Sequence, residues 1–88
     1  MITKLTEENI KLVQEGDLIY FKFCEIYEEN GWFSGVYLVT EVMKECYTFS
    51  FDRRLFRELN SNIVYIHHLL MLEESIGSIY LINSKETT

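Results

Sequence analysis

The chain predicts a mainly β (α+β) fold: an N-terminal helix, then a five-stranded, strongly curved antiparallel sheet that can close into a small barrel. Three observations predict it. Between Gly16 and Phe51, apolar residues recur with a period of two. Asn30-Gly31 separates two such runs, where a hairpin needs residues that tolerate positive φ. Aromatic residues make up 15 % of the chain and proline is absent, a composition suited to a pleated, half-buried surface. At 88 residues the chain is expected to form one domain, 1–88, with flexible ends at 1–5 and 84–88.

The elements follow in order. Thr6 to Gln14 reads as a helix, with Thr6 as N-cap and Glu7 and Glu8 in the first turn, where the helix dipole favours acids. Leu5, Ile10 and Val13 supply its apolar stripe, and Gly16 fits just past its end. Asp17–Cys24 is a strand. Ile19, Phe21 and Phe23 share one face, and Leu18, Tyr20, Lys22 and Cys24 the other, so it is apolar on both sides over part of its length. Glu28–Gly31 is the turn, and Trp32–Thr40 the second strand. Gly35 within it points to a bulge or sharp bend. After a turn at Met43–Glu45, Cys46–Phe51 sets Tyr47, Phe49 and Phe51 on one face.

Asp52–Leu59 breaks the alternation. It reads as a short helical turn capped by Asp52, with Arg53, Arg54 and Arg57 outward and Leu55, Phe56 and Leu59 inward. Ile63–Leu72 is apolar on both faces; it reads as a strand, with a helix after residue 66 as the alternative. Glu73–Gly77 is a turn and Ser78–Asn83 the last strand.

Gly16-Asp17 opening a strand, the Gly31-Trp32-Phe33 hairpin exit and a short helical turn between later strands together resemble the topology of SH3-like small barrels over residues 16–83. The resemblance implies a barrel. It does not carry over proline-peptide binding, because the Ala-Leu-Tyr-Asp-Tyr opening and the acidic long loop of that groove are missing. An open α+β meander is the alternative.

Charge and cysteine usage narrow the function classes. The net charge is −6. Residues 1–46 hold nine acids and four lysines, so the excess lies mainly in that half. Such a chain is repelled by phosphate backbones, which disfavours direct nucleic-acid binding. Cys24 and Cys46 form no CxxC and no disulfide framework, and both are expected to be reduced core residues. No apolar run approaches the about 20 residues that span a bilayer, and no leader-like segment opens the chain. The expectation is a soluble, cytoplasmic protein without cofactor or metal.

Catalytic candidates are thin. His67-His68 on a strand would face opposite ways and could not chelate one metal together. A Cys–His pair from Cys24 or Cys46 lacks any supporting elbow. The carboxylate pairs Glu7-Glu8, Glu28-Glu29 and Glu73-Glu74 fall in turns or helix starts, where acids are ordinarily solvated. No Walker, GxGxxG or HExxH motif is present. The chain therefore reads as a non-enzyme.

Binding candidates are stronger. Arg53, Arg54 and Arg57 make a positive patch able to receive a carboxylate or phosphate, set against simple neutralisation by Asp52 and Glu58. Tyr27, Trp32 and Tyr37 belong to an aromatic set, with Tyr20 and Tyr47, of the kind that anchors interfaces. Glu25, Glu28 and Glu29 would steer them onto a basic partner. Size and acidic, proline-free composition resemble small bacteriophage accessory proteins. That resemblance implies an inhibitor acting in the host cytoplasm by covering a basic, nucleic-acid-handling site on a host protein. The rivals are a homo-oligomeric module that buries one face of Ile63–Leu72, and a small-barrel nucleic-acid binder using Tyr47, Phe49 and the arginines.

Overall fold

The computed structural model describes residues 2–71 and 73–82. Six strands, β1 (Ile2–Lys4), β2 (Leu18–Phe23), β3 (Gly35–Met43), β4 (Thr48–Phe51), β5 (Ile63–Tyr65) and β6 (Gly77–Ile82), form one sheet in the order β1-β6-β2-β3-β4-β5. Every pairing is antiparallel. Three short helices, α1 (Glu25–Glu29), α2 (Ile66–Met71) and α3 (Glu73–Ile76), and a 3₁₀ turn at Asn9–Leu12 complete the fold.

The fold is mainly β, but the sheet is open and not a barrel. Its edges, β1 and β5, do not pair with each other. The sixth strand is β1, in the segment expected to be a flexible end. Three residues carry too short an alternation to announce a strand, and Ile2–Lys4 becomes one because β6 offers it a free ladder. β6 lies between β1 and β2, so the last strand returns to one side of the sheet's middle.

β3 joins the two halves. Gly35–Leu38 pair with β2, and Val39–Met43 pair with β4. The register shifts between Val39 and Glu41, so the bulge sits near Thr40 and not at Gly35. Where β3 has no β4 partner, residues 52–53 take over. The Leu38 amide donates to Asp52 Oδ1 at 3.0 Å, the Asp52 amide donates to the Leu38 carbonyl at 3.0 Å, and Arg53 Nη2 donates to the Val36 carbonyl at 3.1 Å.

Several local expectations change. The long N-terminal helix contracts to one 3₁₀ turn. Thr6 and Asn9 still exchange backbone-to-side-chain hydrogen bonds as a capping box does, but Asp17 Oδ2 accepts from the Gln14 amide beyond the turn. The turn at Asn30-Gly31 forms, with Gly31 at φ +104°, but a helix precedes it: α1 is begun by the Tyr27 and Glu28 amides donating to the Cys24 carbonyl. Trp32 lies outside β3 and bridges to Phe56. Residues 52–59 form no regular helix, although Leu55 is buried and the three arginines are exposed, as the pattern requires. Strand β5 ends at Tyr65 and α2 follows, so His67 and His68 sit on a helix. Glu73–Ile76 is helical where a turn was expected. Cys24 is half-buried and Cys46 exposed; both are free thiols, and neither belongs to the core. The expected tail, 84–88, lies outside the described residues.

The core forms on one sheet face. Ile19, Phe21 and Phe23 of β2 meet Tyr37 and Val39 of β3, Phe49 and Phe51 of β4, and Ile79 and Leu81 of β6. Ile10 and Val13 from the N-terminal turn, Leu55, and Ile66 and Leu69 from α2 join them. Edge-to-face packing of Phe21 on Tyr37 and Phe51, with centroids 5.3 and 5.6 Å apart, gives the centre a geometry that aromatic quadrupoles favour.

Candidate functional site

The residues singled out in the sequence divide into three groups. Glu25, Glu28 and Glu29 project from α1 and are exposed. Glu28 lies 3.8 Å from Lys22, and with Glu25 it borders a shallow groove of ≈ 620 Å³ that also takes in Cys24, Gly77 and Ser78. Tyr27 and Trp32 stack at 6.1 Å, and Trp32 packs on Phe23 and Phe56 at 5.3 and 5.0 Å. This pair is a half-buried extension of the core.

Tyr37 is fully buried and presents no ring to a partner. Its hydroxyl donates to the Phe33 carbonyl. Burial raises its phenol above the ordinary value of 10.0; Arg53 opposes that rise and Asp52 adds to it.

The arginines separate. Arg57 leans on Glu58 at 4.0 Å, and its amide donates to the Gly31 carbonyl. Arg53 and Arg54 together with Phe33 line a second pocket of ≈ 320 Å³. The Arg53 guanidinium lies 4.0 Å over the Tyr37 ring. Gly35, at φ +148°, leaves the room for it: a Cβ there would fall 2.6 Å from Arg53 Nη2. Arg54 Nη1 donates to the Leu59 carbonyl at 3.0 Å.

The surface that sequence reasoning missed is the outer face of β1-β6-β2-β3. Register places Ile2, Ile82, Leu18 and Leu38 in one cross-strand row, and Lys4, Tyr80, Tyr20 and Val36 in the next. Tyr20 and Tyr80 stack at 6.1 Å. Val36 and Leu38 are 44 % and 38 % exposed. Lys22 and Ser78 form the following row and lead to the groove beside α1. Within these rows no carboxylate occurs. The one available signal was the two-sided apolar character of residues 18–24. It could not reveal that β6 and β1 extend the same face.

Elsewhere, His67 Nε2 lies 3.2 Å from Glu7 Oε1, tying α2 to the N-terminal turn. His68 is exposed. The side chains of Glu73 and Glu74 lie outside the described residues. Among the described residues no three His, Cys, Asp or Glu side chains gather as a metal site would require, and no helix is long and apolar enough to cross a membrane. No family model, curated relative or solved structure matches the chain.

Proposed function

We propose that this chain is a non-enzymatic protein-binding module whose outer sheet face docks a partner. The single observation behind the reading is the pair of cross-strand rows Ile2–Ile82–Leu18–Leu38 and Lys4–Tyr80–Tyr20–Val36, apolar or aromatic except for Lys4 on the edge strand and left without a covering layer among the described residues. Contiguous apolar surface of this kind marks interaction sites, and tyrosines combine contact area with a polar handle. The net charge of −6 and the acids of α1 at the end of the face favour a partner whose rim is basic. Binding at such a rim would block whatever the partner's basic surface handles, which is the action of an occluding inhibitor like those of bacteriophages.

The test pairs a variant with a salt series. Val36→Lys adds a charge to the middle of the face, and Glu25→Lys with Glu28→Lys reverses the rim. Affinity capture from bacterial lysate should recover a basic protein with the parent chain, lose it with Val36→Lys, and weaken it with the rim reversal and with rising salt. Equal recovery by all three chains would reject the reading.

One observation favours a second reading, self-association. The face carries no carboxylate, so two copies can stack face to face without bringing like acidic charges into the contact. Mass measured across a concentration series decides between them. In the Ile63–Leu72 segment expected to join subunits, Ile63, Tyr65 and Met71 are exposed, on β5 and α2.

A further inference from the structure

We infer that the pocket of Phe33, Arg53 and Arg54 is a binding site for a phosphate monoester attached to a planar ring. It is separate from the outer face and does not depend on the docking reading.

Both guanidinium groups are held before any ligand arrives. Arg53 is fixed by the Val36 carbonyl at 3.1 Å, by the Tyr37 ring at 4.0 Å and by the space that Gly35 leaves open. Arg54 is fixed by the Leu59 carbonyl at 3.0 Å. Each has further N–H groups that no described residue accepts, because a guanidinium carries five. Neither has a carboxylate within ion-pairing distance among the described residues, whereas Arg57 and Lys22 do. The nearest acid in sequence, Asp52, has Oδ1 engaged by the Leu38 amide. In a chain of net charge −6, two oriented guanidinium groups at one pocket, neither in ion-pair contact with a carboxylate of the described residues, have the donors to receive an anion.

Charge selects the anion. A phosphate monoester carries about −1.5 to −2 at neutral pH and three acceptor oxygens, enough for two guanidinium forks. A carboxylate matches one fork and leaves the second cation unanswered. Phe33 supplies the rest of the recognition. Its ring is 40 % exposed, yet its backbone is pinned on both sides: its amide donates to the Leu55 carbonyl at 2.8 Å and its carbonyl accepts from Tyr37. An exposed ring on a pinned backbone, lining the pocket, favours a flat ligand body. The ≈ 320 Å³ of the pocket lies at the small end of ligand sites. A phosphorylated tyrosine side chain and a mononucleotide both present this chemistry.

The experiment is a titration of the full chain, followed by amide and guanidinium NMR shifts, with four probes: phosphotyrosine, adenosine 5′-monophosphate, inorganic phosphate and benzoate. Saturable shifts confined to Phe33, Arg53, Arg54 and their neighbours are expected with the first two. Whichever of these binds more tightly identifies the source. Inorganic phosphate should bind more weakly, and benzoate at least about tenfold more weakly than phosphotyrosine, a difference of about 1.4 kcal/mol. Arg54→Gln, which leaves the Tyr37 stack intact, should lower phosphotyrosine affinity at least about tenfold. Phe33→Ala should weaken the ring-bearing probes and leave inorganic phosphate unchanged. Arg53→Gln is the harsher variant because Arg53 also packs on Tyr37, so Arg54→Gln carries the decision. Absence of saturable shifts, equal binding of benzoate, or indifference to Arg54→Gln would each overturn the assignment.

Discussion

The two faces of β1-β6-β2-β3 are both apolar, and they have opposite fates. On the inner face, Leu81, Ile19 and Tyr37 stand in one row and Ile79 and Phe21 in the next, and all are buried. On the outer face, Ile82, Leu18 and Leu38 align beside Tyr80, Tyr20 and Val36, and none reaches full burial. The residue types scarcely differ. What differs is the covering: the N-terminal turn, the 52–59 segment and α2 all contribute side chains to the inner cluster. A hydrophobic alternation therefore identifies two faces, while connections of the chain decide which becomes core and which remains available for contact.

The sharpest way to break this contrast is to remove an inner ring. Phe21→Ala deletes a fully buried side chain that packs on three other rings, and should cost about 3–5 kcal/mol in urea unfolding. A loss under about 1 kcal/mol would place the core elsewhere. Gly77→Ala tests the backbone junction of β6 with β2. A Cβ at φ +143° would come 1.9 Å from the Lys22 carbonyl oxygen, with backbone on the other side of the contact. Strain and overpacking together should cost about 3 kcal/mol, read as a fall in thermal midpoint.

A subtler inner change is Tyr37→Phe. It keeps the ring and removes the hydroxyl that donates to Phe33, so the loss should be about 1–2 kcal/mol. It also loosens the backbone beneath the exposed Phe33 ring. On the outer face, Val36→Lys should change unfolding stability by less than about 1 kcal/mol, since the site is already half in water. The same variant should abolish docking, and this split between stability and binding is what the inner variants cannot show. If Val36→Lys unfolds the chain, the outer face is structural.

The smallest effect is one of pH. Burial holds the Tyr37 phenol above 10.0, its ordinary value, against the lowering influence of Arg53, while Asp52 adds to the rise. A raised pKa in the folded state means the neutral phenol is favoured there. Its stabilising contribution is complete below pH 10.0 and is lost as pH climbs through the folded-state value. Ultraviolet titration of the phenols should show one tyrosine ionising later than the rest. That late phase should disappear in Tyr37→Phe.

What the sequence determined by itself is the set of locally encoded features. The period of two set β2 and placed Ile19, Phe21 and Phe23 on one face. It did the same for Phe49 and Phe51 in β4 and for Ile79 and Leu81 in β6. The sorting of Leu55 inward and Arg53 and Arg54 outward was also legible, because burial follows residue chemistry even where the helical turn does not form. The acidic residues of α1 and the arginine patch were readable as exposed charge.

The tertiary structure alone decided the rest. β1 is a strand paired with β6, and α1 precedes the Asn30-Gly31 turn and sets Tyr27 against Trp32. β5 yields to α2 where Ile66 and Leu69 turn into the core. Separation of Arg53 and Arg54 from Arg57, and the placement of Phe33 beside the first two, depend on residues 52–53 pairing with β3. Local periodicity fixes which residues share a side, since it follows from backbone geometry within a few residues. Strand partners, sheet closure and the face left uncovered arise from contacts between segments far apart in the chain, and no local pattern encodes those.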